Sequence, residues 1–373
     1  MLTTINKDLK PFEDLAETFA AKELAKKVEE HDRFPFGDFF AGVVDKMFEV
    51  GFLGVMLPEK LGGIGSGIST LCVILERICR ADSSAGGIIF TNALAQEIIL
   101  ACGSDALARK VFAKASSASD LLVAFPSYMD PAHAGMLPSA VKKGREYALT
   151  GELELLVLGG LAAKAVIPAS TNDGSSWSFF LVDLKDTGIQ KSEPVFTLGM
   201  HACPAVDVTM KEVRARLIGA NGAERFKEVS AKMHLACAAM NAGIMKGSLK
   251  EALAYAKERF QGGREIINWS EVSMLLAGMA VKADVAEMCF AQACQAAEQG
   301  AAGNGSSCIA AALHIHEIAC EAVTDGVQLL GGYGYMKDYG QEKRYRDARQ
   351  VQALLGAAPM KKIDLIRELA GLG

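Results

Sequence analysis

The sequence predicts an α+β multidomain protein with an N-terminal helical domain, a middle antiparallel β-barrel or sandwich, and a C-terminal four-helix bundle. Three observations predict it. Apolar residues recur at helical spacing up to about position 118. Short β-type runs separated by turn clusters then occupy 121 to 218. Long, Ala-rich amphipathic stretches return from Gly222 onward. A chain of 373 residues has room for two or three packed domains around a large interior. The changes in pattern place boundaries at 1–118, 119–222 and 223–373.

In the first segment, Phe12, Leu15, Phe19 and Leu24 share a helical face, and Phe34-Pro35-Phe36 breaks the run that reaches Val50. Leu57 to Gly67 is glycine-rich and leads into an apolar helix over 68–79. Gly63-x-Gly65-x-Gly67 has the wrong spacing for a dinucleotide loop and follows no strand, so it reads as a structural turn. Further helices are expected over 86–101 and 105–115. Strands are expected at 121–125, 146–149, 155–158, 165–168, 176–182 and 206–210, with a turn at Thr171-Asn172-Asp173-Gly174. The bundle helices fit 224–260, 268–299 and 306–330, closed by a last helix over 359–370.

Composition narrows the function classes. Half of the residues are apolar, yet no run of eighteen or more uncharged apolar residues appears, so a buried bundle is expected rather than a membrane span. Met1 to Lys10 lacks the apolar core of a signal peptide, and a cytoplasmic location is expected. The net charge of −5 comes from interspersed charges, which points away from nucleic acid. Nine scattered cysteines without a CxxC pair suit reduced thiols, and no metal site is expected from the spacing. His314 and His316, two apart in a helix, do not share a face.

Three separated segments resemble the acyl-CoA dehydrogenase family, and the resemblance covers nearly the whole chain. The segments are Leu198-Gly199-Met200-His201-Ala202-Cys203-Pro204, Ala254 to Gly263 at the end of the first bundle helix, and Gln328 to Tyr335 followed by Arg344-Tyr345-Arg346-Asp347-Ala348-Arg349. Without Gln328 and that Arg-rich run, Gly331 to Gly334 would read as a tight turn. The run itself reads equally well as a salt-bridge cluster on a helix. The resemblance implies oxidation of an acyl-CoA or acyl-carrier-protein thioester at Cα and Cβ. It also implies FAD held across the interface of a homotetramer, and electron-transferring flavoprotein as the acceptor.

Abstracting an α proton needs a carboxylate base, and the enolate that forms needs hydrogen-bond donors at the thioester oxygen. The family's Tyr-Glu-Gly-Thr segment corresponds to Leu354, Leu355, Gly356 and Ala357, so Leu355 stands in the place of the base. In the alternative place, on the first bundle helix, stand Met233 and its neighbour His234. Substrate-side candidates are therefore Leu355, through its backbone N–H, Gly356 and His234. Asp130 and His133, in the loop Met129-Asp130-Pro131-Ala132-His133-Ala134-Gly135-Met136, are the substitute acid–base candidates. His133 also reads as an ordinary loop histidine, and Tyr128, Met129 and Met136 as packing. The flavin-contacting run matches Leu155-Leu156-Val157, where an aromatic and a hydroxyl are replaced by aliphatic groups. The cross-subunit grip on FAD matches Arg259, Gln261, Gln328, Gly331 and Gly332. Gly86, Thr91, Asn92 and Ala238 are guesses at the wall of the acyl pocket. These features imply an acyl-CoA dehydrogenase-like flavoprotein oxidoreductase with its usual Glu base replaced and its FAD weakly held or absent. The alternative is a non-catalytic subunit in a hetero-oligomer with an intact paralogue.

Overall fold

Helical periodicity at the start of the chain becomes a layer of packed helices in the computed structural model, which describes residues 2, 6–25, 28–34, 39–171, 176–219, 222–299 and 304–372. Pro35, Phe36 and the turn residues Asn172 to Gly174 lie outside the described residues. Helix α1 (Lys10–Phe19) carries Pro11 in its first turn, where a missing N–H costs nothing. Next come α2 (Phe39–Glu49), α3 (Ile68–Cys79), α4 (Ser83–Cys102) and α5 (Asp105–Phe112). Asp82 caps α4 by accepting from Ser84 N–H at 2.8 Å, and Ser104 caps α5 by accepting from Leu107 N–H at 3.2 Å. By length and composition α4 could cross a bilayer, which a count of charge-free runs overlooks because Glu97 interrupts it. It is apolar on all sides because it runs through the core, buried from Ser83 to Ile99.

The glycine-rich segment is a structural turn. A Cβ on Gly63 would lie 2.1 Å from the Leu57 carbonyl oxygen, and Gly62 adopts φ +86°.

The middle domain holds β1 (Val123–Ala124), β2 (Ser139–Lys143), β3 (Glu146–Val157), β4 (Lys164–Thr171), β5 (Ser176–Asp183), β6 (Ile189–Lys191) and β7 (Ala205–Gly219). The pairings β4–β5, β5–β7, β7–β3, β3–β2 and β2–β4 return to their starting strand, so the sheet closes as a barrel. Three corrections follow. The expected strands at 146–149 and 155–158 are one twelve-residue strand, bulged between Leu149 and Gly151 and between Leu153 and Leu156. β2 and β6 fell outside the expected set because their side chains are largely polar or exposed. The barrel is also not wholly antiparallel, since β4 pairs in parallel with β1 and β2.

The bundle comprises α6 (Gly222–Glu258), α7 (Ser270–Glu298), α8 (Asn304–Leu330), α9 (Gln341–Gln352) and α10 (Ala358–Leu369). Helix α6 ends two residues short of Phe260. The expected helical tail is instead a hairpin, β8 (Phe260–Gln261) and β9 (Arg264–Glu265), turned by Gly262 and Gly263 at φ +64° and +88°. One apolar cluster runs from α1 through α4, the barrel and α6 to Leu355, and a smaller one around Ala252, Met279 and Leu330 closes the far end of the bundle.

Two of the sequence segments singled out above meet at the centre. Met200 N–H donates to Asp347 Oδ1 at 2.6 Å, and Ser83 Oγ donates to Asp347 Oδ2 at 2.5 Å. Lys343 pairs with Asp82 at 3.0 Å and with Asp347 at 2.5 Å. Arg346 joins Asp32 and Glu342, and His201 joins Asp32 at 2.9 Å. Lys343, Arg346 and Asp347 thus anchor a largely buried network joining all three regions, with Arg344 paired to Glu251, while Tyr345 and Arg349 stay exposed. All nine cysteines are free and seven are buried.

Candidate functional site

A cavity of about 290 Å³ lies where the loop after β1 meets the turn between α9 and α10. Tyr128, Asp130 and His133 line it from the loop, Leu355 and Gly356 from the turn, and Lys361 and Asp364 from α10. The turn approaches the loop closely enough that a Cβ on Gly356 would lie 3.0 Å from Asp130 Cβ, and Gly356 holds φ +98°. Tyr128 and Met129, read from sequence as packing, also face this cavity, whereas Met136 is 87% exposed and packs against little.

Leu355 is in the cavity wall but only 2% exposed, at φ +61°. Its backbone N–H, expected to be available to a thioester oxygen, donates to the Ser127 carbonyl at 2.7 Å. The correction has a local cause: the turn needs that bond to anchor itself on the loop. Met233 is wholly buried core.

The charges in the cavity are unusual. Burial pushes the Asp130 carboxyl above its ordinary value, opposed by the N–H of Ala132, which it accepts at Oδ1 at 2.9 Å. His133 Nε2 and Asp364 Oδ2 lie 2.6 Å apart. Burial lowers the Lys361 ammonium, which donates to the carbonyls of Leu354 at 2.5 Å and Gln352 at 3.1 Å. Among the described residues, no carboxylate lies within 4.0 Å of it. Sequence reasoning missed Lys361 and Asp364, because a Lys-Lys pair in a helix after a proline reads as solvated surface. Asp130, His133 and Asp364 bring one polar atom each within 4.8 Å of one another. Positions 130, 133 and 364 form no local motif, so spacing gave no sign of this grouping.

His234 does not line this cavity. It is buried on α6, and burial, with Lys361 adding to it, pushes its imidazole down to about 3, which makes it neutral at pH 7. The guessed acyl wall is structural. Asn92 donates to the Leu53 carbonyl at 2.8 Å and accepts from Val123 N–H at 2.9 Å, and Thr91 bonds Ser127 at 2.7 Å. A Cβ on Gly86 would lie 2.3 Å from Cys79 Sγ, and Ala238 is fully buried.

A second cleft, of about 550 Å³, gathers Arg259, Gln261, Gly331 and Gly332 with Tyr255 and Tyr333. Arg259 lies over the Tyr333 ring at 5.7 Å, and Gly331 adopts φ +57° with open space where a Cβ would be. Gln328 is exposed on the neighbouring turn of α8 and does not line the cleft. This donor set suits the diphosphate of a dinucleotide. The ring-side residues do not suit a flavin in the same way. Val157 is buried with both backbone groups bonded to Phe125 at 3.1 Å, and the Leu155 N–H is held by Asp207 at 2.9 Å. Neither side chain lines the two cavities or offers a donor to a ring. The residues thus fit one half of an FAD site and not the other.

Comparison with known proteins agrees with this fold. The models for the acyl-CoA dehydrogenase N-terminal and C-terminal domains match residues 6–119 and 220–370. The chain is 29% identical to the caffeyl-CoA reductase-Etf complex subunit CarC of Acetobacterium woodii, covering 94% of each chain. It is 30% identical to a probable acyl-CoA dehydrogenase, fadE25, of Mycobacterium bovis, covering 94% of this chain and 92% of that one. It superposes with TM-score 0.90 and 27% identity on a chain of the structure "Electron transferring flavoprotein of Acidaminococcus fermentans: Towards a mechanism of flavin-based electron bifurcation", covering 98% of both. A helical layer, a closed barrel and a helical bundle joined by one buried network are here combined with full-length sequence matches, and this chain belongs to the acyl-CoA dehydrogenase family of oxidoreductases.

Proposed function

We propose that this chain is an acyl-thioester-binding subunit of an acyl-CoA dehydrogenase-like oxidoreductase acting at the Cα–Cβ bond. In this reading the α6–α8 face, with Arg259, Gln261, Gly331 and Gly332, serves a flavin whose ring is held mainly by an intact paralogue. The carrying observation is the state of Leu355: a buried aliphatic side chain stands in the place of the base, and its amide is already bonded to Ser127. In this reading neither function of that position, proton transfer or oxygen binding, is served by Leu355. The name of the A. woodii relative, a subunit of a reductase–Etf complex, supports an electron-transferring flavoprotein as redox partner.

A self-contained enzyme is the second reading, favoured by the presence of Asp130 in the cavity. Co-expression with a paralogue that retains the Tyr-Glu-Gly segment separates the two. The first reading predicts a mixed tetramer with fewer flavins than chains and acyl-CoA-dependent bleaching of the flavin band. A homotetramer of this chain that carries one flavin per subunit and bleaches by itself supports the second reading and overturns the first. Failure to bind any acyl thioester, alone or in the mixed assembly, overturns both.

A further inference from the structure

We infer that the 290 Å³ cavity retains a proton-transfer site of its own, in which Asp130 removes the α proton of a bound acyl thioester and Lys361 binds the enolate oxygen. The inference rests on the thioester reading above and extends it to residues that stand outside the family's motif positions for either role.

Enolising a carbon acid requires a proton acceptor and an oxyanion donor in the same water-poor space. Asp130 and Lys361 line one cavity together with the Leu355–Gly356 turn that stands at the usual place of both functions. The Asp130 carboxylate spends Oδ1 on Ala132 N–H, which leaves Oδ2 available. Lys361 is 5% exposed and spends two of its three N–H donors on the carbonyls of Leu354 and Gln352. A buried ammonium ordinarily has an anionic partner. Here no carboxylate of the described residues stands within 4.0 Å, and Asp130, on the same cavity, acts on the ammonium only at longer range, so no direct ion pair holds it. A thioester oxygen that gains negative charge supplies a direct partner for the third donor. The His133–Asp364 pair, 2.6 Å apart and partly exposed, provides the path by which the Asp130 proton exchanges with solvent.

The step is redox-neutral. The Cα–H bond breaks, its proton passes to Asp130 and its electron pair forms the Cα=C bond of the enolate, while the carbonyl oxygen takes the negative charge opposite Lys361. Reversal returns a solvent-derived proton to Cα, so the net reaction is exchange of the α hydrogen, and no oxidant is needed.

The full chain with propionyl-CoA in deuterium oxide tests this, with deuterium at Cα followed by NMR or mass spectrometry and thioester affinity by calorimetry. The wild type is expected to incorporate solvent deuterium at Cα. Asp130→Asn should slow incorporation about 100-fold or more, the usual contribution of a positioned base, whereas Asp130→Glu should hold it within about tenfold. Lys361→Gln can still donate to the turn carbonyls but carries no charge. It should slow exchange about 100-fold with affinity changed only a few-fold, a split that a merely structural role for Lys361 does not give. Thioester binding without exchange in the wild type, or equal exchange in Asp130→Asn, overturns the inference and leaves the proposed function standing. Absence of thioester binding overturns both.

Discussion

Leu355 shows how one position can change both the chemistry and the packing of a site. A glutamate there would point a charge into the cavity, whereas the leucine joins the main apolar cluster and its amide ties the turn to Ser127. Its role in this chain is therefore structural. Leu355→Ala is expected to lower the unfolding free energy by about 2–4 kcal/mol, the usual cost of deleting a buried leucine, as measured by denaturant titration. A loss near zero would mean that the side chain is not packed as described. Gly63→Ala tests the other kind of close contact, because its methyl would press on the Leu57 carbonyl; about 1–3 kcal/mol is expected to be lost in the same assay. Leu355 and Met233 could be singled out in the sequence because motif order points to those positions by counting, and the structure places both in the buried core. Lys361 and Asp364 were not, because they come within reach of Asp130 only after more than two hundred intervening residues have folded.

At the scale of elements, sequence pattern gave α3 its bounds, since an apolar twelve-residue run between a glycine turn and a polar stop has few alternatives. The pattern failed where partners outside the element hold it in place. Helix α9 is largely charged, with Val351 and Ala348 among its few apolar core residues, and its hold on the molecule is the ion-pair network of Lys343, Arg346 and Asp347. That network has a pH signature. Burial opposes ionisation of Asp32, yet His201 and Arg346 outweigh it and hold the carboxyl down at about 2 against an ordinary 3.8. Its stabilisation is thus full above about pH 4 and is lost as pH falls through about 2, worth about 2 kcal/mol. Burial likewise opposes protonation of His201, but the Asp32 hydrogen bond prevails and raises it. Its contribution is present below its ordinary value of 6.5 and is lost as pH rises through the raised one. A plot of melting temperature against pH should therefore fall on both sides of a plateau. His201→Gln should remove the alkaline fall and shrink the acid one to what Arg346 sustains; an unchanged alkaline limb would exclude His201 as its source.

Across the whole molecule, two cavities of different chemical character stand apart. The α6–α8 cleft keeps arginine, amide and glycine positions suited to a diphosphate. The barrel and the α9–α10 turn present the aliphatic Leu155, Val157 and Leu355, while Asp130, His133, Lys361 and Asp364 gather between loop and helix. The order helical layer, barrel, bundle was legible from periodicity alone, because each period persists over many residues. Closure of the barrel was not, since the β2–β4 contact that completes it is a single register pair, Ser139 with Ser170. Exposed Phe260, Tyr335 and Met336 beside the second cleft leave apolar surface for another subunit to cover. Under the proposed function, this chain presents residues suited to a diphosphate and few suited to a flavin ring. The flavin-to-chain ratio of the freshly purified, singly expressed protein, read from its visible spectrum before and after added FAD, tests it most directly. A ratio well below one and no bleaching with acyl-CoA are expected. One tightly held flavin per chain that bleaches with acyl-CoA would contradict it.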